Sequence, residues 1–225
     1  MHLAFLDLTM DDLRWGAVEL ILLVVSIGLH EFGHAWVADL RGDPLPRAQG
    51  RVTLDPFAHV DPIGTLLIPA LGILKLFPFA MIGWGKPVQV LLANPRTRKA
   101  DDILITLAGP AMNLVQCLAF ALIGLVLAET GHLVPNAQRV LTYGILLNAS
   151  LMVFNLVPIP PLDGSRVLRH VVGMSEETFR NLARYSPIIL LVLVNLPAFS
   201  HALGMLIVAL SAPFFAVGGF APVFY

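Results

Sequence analysis

The chain has 225 residues, 57% hydrophobic and only 13% charged; ordinary soluble domains carry about 25% charged residues, so the composition describes an integral membrane protein. A formal net charge of −1 provides no basic face for a nucleic acid, and none is expected as a partner. The single cysteine, Cys117, excludes an intrachain disulfide and a cysteine-based zinc site, and its apolar neighbours make it a small buried hydrophobe.

Residues 1–12 lack a basic n-region and a cleavage site, so no secretory signal peptide is expected and the first span should stay in the product. That span is expected over residues 15–40, long enough for a hydrocarbon core that needs about 20 apolar residues. Its C-terminal half carries His30-Glu31-Phe32-Gly33-His34, the pattern H-E-x-x-H. On a helix, residues four apart share a face, so His30 and His34 point together and Glu31 lies at the edge of that face. Zinc takes neutral imidazole nitrogens and keeps a position for water, whose pKa it lowers toward neutrality; Glu31 is then the candidate general base of a metal-assisted hydrolysis. A chance pair of polar core histidines is the competing reading. It is disfavoured because ionisable groups inside a span are costly and usually functional.

Residues 41–62 are polar and turn-rich, with a short strand expected over 49–54. Residues 63–84 are apolar but interrupted by Gly64, Pro69, Gly72, Lys75 and Pro78, which suits a bent or re-entrant segment. An extended stretch is expected over 83–90, followed by the basic residues Arg96, Arg98 and Lys99. The second clear span covers 103–128, with Gly109, Pro110 and Asn113 near its start, and a third covers 140–156. Pro158, Pro160 and Pro161 forbid further helix just before Asp163 and Gly164. After a polar piece over 165–185, the apolar run 186–217, broken at Pro197 and Pro213, fits a span over 186–210 plus an interfacial tail. The expectation is an all-α polytopic membrane protein forming one domain over 1–225. It has about four transmembrane helices, the broken segment 63–84 and a short membrane-associated β-strand region.

Arg41, Arg47 and Arg51 follow the first span, Arg96, Arg98 and Lys99 precede the second, and Arg166, Arg169, Arg180 and Arg184 follow the third. By the positive-inside rule these groups are cytoplasmic and the N-terminus is outside. Segment 63–84 then enters and leaves on the cytoplasmic side, where His30, His34 and Asp163 can meet. Trp15 and Trp84 read as interface anchors, and Glu19 faces either an aqueous cavity or a neighbouring span.

Two histidines and a water leave a zinc shell one protein ligand short. Asp39 is poorly aimed from helical spacing, Asp55 and Asp61 read as turn residues before proline, and Asp163 leads because Gly164 beside it permits close backbone approach. His132, His170 and His201 read as loop or tail residues, and His59 is the one with some reach toward the site.

His30-Glu31-x-x-His34 in a span, Gly109-Pro110-x-x-Asn113 opening another, and Asn155-x-x-Pro158-x-Pro160-x-Leu162-Asp163-Gly164 closing a third resemble the site-2 protease family of intramembrane zinc metalloproteases, peptidase family M50. The resemblance covers residues 21–171. It implies one zinc ion per chain on His30, His34 and Asp163, with Glu31 activating the water. It implies that Asn113 and Asn155 line the site, interhelical hydrogen bonding being the plainer role for both. The substrate implied is a membrane protein with a transmembrane helix, cut within the lipid bilayer, and the location implied is a prokaryotic cell membrane. The remaining length has no room for a PDZ-like or CBS-like domain, so a compact form is expected. Ser165 stands where many relatives have a second glycine, a change expected to be harmless, and the segment 63–84 resembles a subgroup insertion. The competing class is non-enzymatic, a metal transporter or a silent relative that binds membrane clients. A transporter wants more intramembrane ionisable residues, and a silent relative normally loses Glu31 or a ligand.

Overall fold

The first helix of the computed structural model, α1, runs Met10–Leu40, and the residues described are 8–76, 83–92 and 94–223. A capping box starts α1: Thr9 accepts from the Asp12 amide while Asp12 accepts from the Thr9 amide, which satisfies two donors that a helix start leaves unpaired. It stops where Gly42 takes a left-handed φ of 84° ahead of Asp43 and Pro44. The short α2 (Leu45–Ala48) follows. Next comes a turn of 3-10 helix over Pro56–His59, capped by Asp55, and a π-helical turn over Pro62–Leu67, capped by Asp61, that runs into α3 (Ile68–Ile73). Asp55 and Asp61 are therefore spent as turn caps, as their place before proline suggests.

Among the described residues four helices are long and apolar enough to cross a membrane: α1, α4 (Arg98–Glu129), α5 (Pro135–Asn155) and α8 (Pro197–Gly218). Between α5 and α8 lie α6 (Asp163–Val171) and α7 (Glu176–Val194). The long apolar helix at the end is thus 197–218 and not 186–210. Pro197 disfavours the helical conformation at Leu196, which is extended, so one helix ends and another begins there. Pro187 and Pro213 interrupt neither helix.

Helix α4 is central, with α1, α5, α6 and α8 all packed on it. Small residues let α1 come close: a methyl group on Gly33 would stand 2.7 Å from the Ala108 carbonyl oxygen. Ala121, Leu141, Ile145, Phe215 and Phe220 form an apolar cluster joining α4, α5 and the end of α8. Elsewhere the usual pattern is inverted. Ile21, Leu118, Val126, Leu191 and Val208 are exposed, while Ser26, Asn113, Gln116 and Asn148 are buried between helices, as suits a molecule whose solvent is hydrocarbon.

Among the described residues no β-strand forms, either over 49–54 or over 83–90. The main chain of the second stretch bonds one group at a time: Trp84 N–H to Gly64 O, Lys86 N–H to His59 O, and Thr65 Oγ to Trp84 O. Its partners are turns and side chains, so no ladder can propagate. Segment 63–84 falls partly outside the described residues. Within them, Lys75 Nζ lies 3.6 Å from Asp12 near the start of α1, whereas a methyl group on Gly83 would be 2.8 Å from the Gly64 carbonyl.

Candidate metal centre

His30 and His34 lie one turn apart on the face of α1 that meets α4, both buried. Their rings meet edge to face with centroids 4.7 Å apart, and their Nε2 atoms are 3.1 Å apart. Asp163, the first residue of α6, brings Oδ2 to 3.3 Å from His30 Nε2 and 3.4 Å from His34 Nε2. Two groups place it there. The prolines after α5 turn the chain back, and α6 is tied to α4 through His170 Nε2 and Asp102 Oδ2, 2.6 Å apart, with Arg166 3.8 Å from the other carboxylate oxygen.

The protonation of both rings follows from their outer partners. His34 Nδ1 is 2.7 Å from the Ile105 carbonyl, which can only accept, so Nδ1 carries a hydrogen and, in the neutral imidazole that a metal requires, Nε2 the lone pair. For His30 the chain is longer. Asn148 Nδ2 donates to the Gly144 carbonyl and to Ser26 Oγ, so its Oδ1 faces Asn113; Asn113 Nδ2 donates to that oxygen, and its own Oδ1 therefore faces His30 Nδ1 at 2.7 Å. His30 must donate there, and in its neutral form Nε2 carries the lone pair as well. With both rings neutral, three acceptors converge, and Asp163 Oδ2 is buried without a hydrogen-bond partner. A tetrahedral zinc with bonds near 2.0–2.2 Å sets neighbouring ligand atoms about 3.3 Å apart. The donor set therefore fits a zinc ion, with the second shell already oriented.

Helix α4 leaves room for that ion. A methyl group on Gly109 would stand 2.3 Å from His34 Nε2 and 2.7 Å from His30 Cε1.

Glu31 stands apart from the three candidate ligands, and its Oε2 is buried without a hydrogen-bond partner. Gly85 lies against it: a methyl group there would be 3.0 Å from Glu31 Cγ. The Arg51 guanidinium is 3.8 Å from Glu31 Oε2 and donates to the Lys86 carbonyl.

Other candidates settle elsewhere. Asp39 pairs bidentately with Arg47, whose pKa that contact raises. His59 is buried with Nε2 on the Thr53 carbonyl; burial holds its pKa below the ordinary histidine value. His132 and His201 are exposed, and His170 serves Asp102. Asn113 is one bond behind His30, but Asn155 donates to the Leu151 carbonyl of its own helix and is not in this network. Asn148 and Arg51 were not singled out for the site in the sequence. A second amide in the apolar half of α5 and an arginine in a span-flanking loop were the available signals.

A family model described as peptidase family M50 matches residues 126–194, which include α5, Asp163 and α6. The chain is 34% identical over 189 residues to "Putative zinc metalloprotease YwhC" of Bacillus subtilis (strain 168), across 81% of this chain and 82% of that protein. It is 33% identical over 198 residues to "Putative zinc metalloprotease Rip2" of Mycobacterium tuberculosis (strain ATCC 25618 / H37Rv), across 84% and 72% of the two chains. "Zinc metalloprotease MJ0392" of Methanocaldococcus jannaschii is 26% identical over 168 residues, 75% of this chain and 38% of that one. No solved structure matches the chain.

Proposed function

The chain belongs to peptidase family M50 and is a zinc metalloprotease, and from that membership we propose that it is an intramembrane endopeptidase that cuts transmembrane segments of other membrane proteins, with His30, His34 and Asp163 as the zinc ligands and Glu31 as general base. The observation that carries the reading is the convergence of two Nε2 atoms and an unpartnered carboxylate oxygen at 3.1 to 3.4 Å from one another, at the packed face of an apolar helix.

Zinc bound there supplies Lewis-acid polarisation of a carbonyl and lowers the pKa of a water. Glu31 accepts the proton of the attacking water on a carboxylate oxygen and delivers it to the leaving amide nitrogen. Asn113 and the Ile105 carbonyl keep both imidazoles in the tautomer that leaves Nε2 free. The Gly85–Lys86 main chain, held beside Glu31, is the stretch that would receive an unwound substrate strand. A substrate helix must open first, because its peptide groups are otherwise shielded by their own hydrogen bonds. Small or helix-breaking residues lower that barrier.

The finer topology belongs to the same proposal. Arg41 is bonded to Asp101, Asp43 accepts from the Leu91 amide, and Gln49 bonds Gln89, so the loop after α1 and the approach to α4 share one end of the molecule. This supports a re-entrant path for segment 63–84, with the site near the cytoplasmic leaflet of a cell membrane. Zinc analysis combined with cleavage of a single-span substrate tests the whole reading: about one zinc per chain and a cut within the span are expected. Metal-free, inactive protein would overturn it.

A further inference from the structure

Arg51 is an arginine in a loop, yet only 4% of it is exposed. Its backbone is fixed by a hydrogen bond from its amide to the Pro46 carbonyl, which aims the side chain inward beneath α2. Burying a guanidinium is expensive unless it is paired. Among the described residues its ion-pair partner is Glu31, 3.8 Å from Nη2, and the same nitrogen donates to the Lys86 carbonyl while Nε has no partner. A structural salt bridge closes to about 2.8 Å. Here roughly an ångström more is left, close enough to attract the carboxylate and too far to occupy Oε2.

The surroundings make this a junction. Lys86 is held from its other side by the His59 carbonyl, and Gly85 sits against Glu31 so tightly that a methyl group would be 3.0 Å from Cγ and 3.2 Å from Oε1. The guanidinium therefore touches, at once, the group that moves the proton and the main chain beside it. We propose that Arg51 is a positioning residue for hydrolysis, holding the Glu31 carboxylate against the Gly85–Lys86 main chain so that the base and that main chain keep one geometry. The inference rests on Glu31 acting as the base.

The test uses the full chain in lipid nanodiscs with a single-span peptide substrate, and reads zinc content, kcat, KM and hydrogen exchange over 84–91. Misplacing a catalytic group by about an ångström costs on the order of 100-fold. Arg51→Gln should therefore keep its zinc, lose about 100-fold in kcat with KM changed less than about threefold, and exchange faster at the Lys86 amide. Arg51→Lys, which restores the charge but not the planar guanidinium that sets Nη2 between the two oxygens, should recover roughly tenfold of that loss. Gly85→Ala pushes on Glu31 from the other side and should lower kcat with zinc retained. Wild-type kcat in Arg51→Gln, with faster exchange alone, would reduce Arg51 to a loop staple and overturn the proposal; so would equal loss of zinc in Arg51→Gln and Arg51→Lys. If Arg51→Gln does not fold, Arg51→Lys and Gly85→Ala decide, wild-type kcat in both being the refuting result. Glu31→Gln separates the two ideas: full activity there removes the base itself, whereas an inactive Glu31→Gln beside a normal Arg51→Gln removes only the positioning role.

Discussion

His30 Nδ1 and Asn113 Oδ1 stand 2.7 Å apart in a buried contact, and the hydrogen between them belongs to the imidazole because Asn113 has already turned its amide nitrogen to Asn148. The direction of that chain is fixed at its far end by the Gly144 carbonyl, which cannot donate. Asn113→Leu should lower zinc affinity about 10- to 100-fold, the range for loss of an outer-shell partner. Asn148→Leu should cost less, since it only frees the Asn113 amide to rotate. Competition against a chromophoric chelator measures both, and unchanged affinity in Asn113→Leu would falsify the assigned tautomer's role.

Gly109 sets two effects of opposite sign against each other. Alanine there favours the helix by about 1 kcal/mol, but its methyl group would stand 2.3 Å from His34 Nε2. The steric term wins, because that volume is where the ligand atoms point. Gly109→Ala should insert and fold normally yet bind zinc only at background level; a full complement of metal would show that the ion sits elsewhere.

Glu31 lies outside the three-ligand group. Glu31→Gln should therefore keep its zinc while losing hydrolysis by at least about 100-fold, because an amide cannot take the proton at neutral pH. Loss of metal in this variant would make Glu31 a ligand instead.

Asp163→Asn should weaken zinc binding while α6 stays docked, since the His170–Asp102 contact that holds it is untouched. Asp61→Asn is the matched control: the asparagine oxygen can still accept from the Ile63 and Gly64 amides, so metal and activity should both survive. Metal loss at position 61 and retention at 163 would reverse the assignment.

Sidedness can be read with single cysteines in a Cys117→Ala background. Gln49 is preferable to its neighbour Gly50, whose φ of 67° would strain a side chain. Probes at Gln49 and Lys99, both exposed, should label from one face and a probe at His132 from the other. Opposite labelling of the first two would require a full crossing between them.

That His30 and His34 share a helix face was legible because their spacing is local, and that Asp163 comes to meet them because its proline-rich approach and glycine neighbour are local too. Asn148 was not. It lies seven residues before Asn155 on the same helix, and only packing against Asn113 and Ser26 tells which amide turns inward. Asn155 drew attention through its motif, yet its nearest acceptor is the Leu151 carbonyl one turn back. Arg51 and Gly109 gain their meaning from what faces them across the fold, Glu31 in one case and two imidazoles in the other, and linear spacing carries no such information. The end of the chain shows a different limit: hydropathy runs straight through residues 186–217, and only Pro197 reveals that one apolar run is two helices.

The two imidazoles come from the first helix, whereas the carboxylate that completes their triangle opens the sixth. Translation runs in that order. A nascent chain that has delivered α1, α4 and α5 to the bilayer holds a preoriented pair of histidines but no third donor, and α6 cannot dock on Asp102 until His170 has left the ribosome. The architecture thus carries its own delay: until α6 has been made and docked, the growing chain holds two of the three donors and no closed triangle.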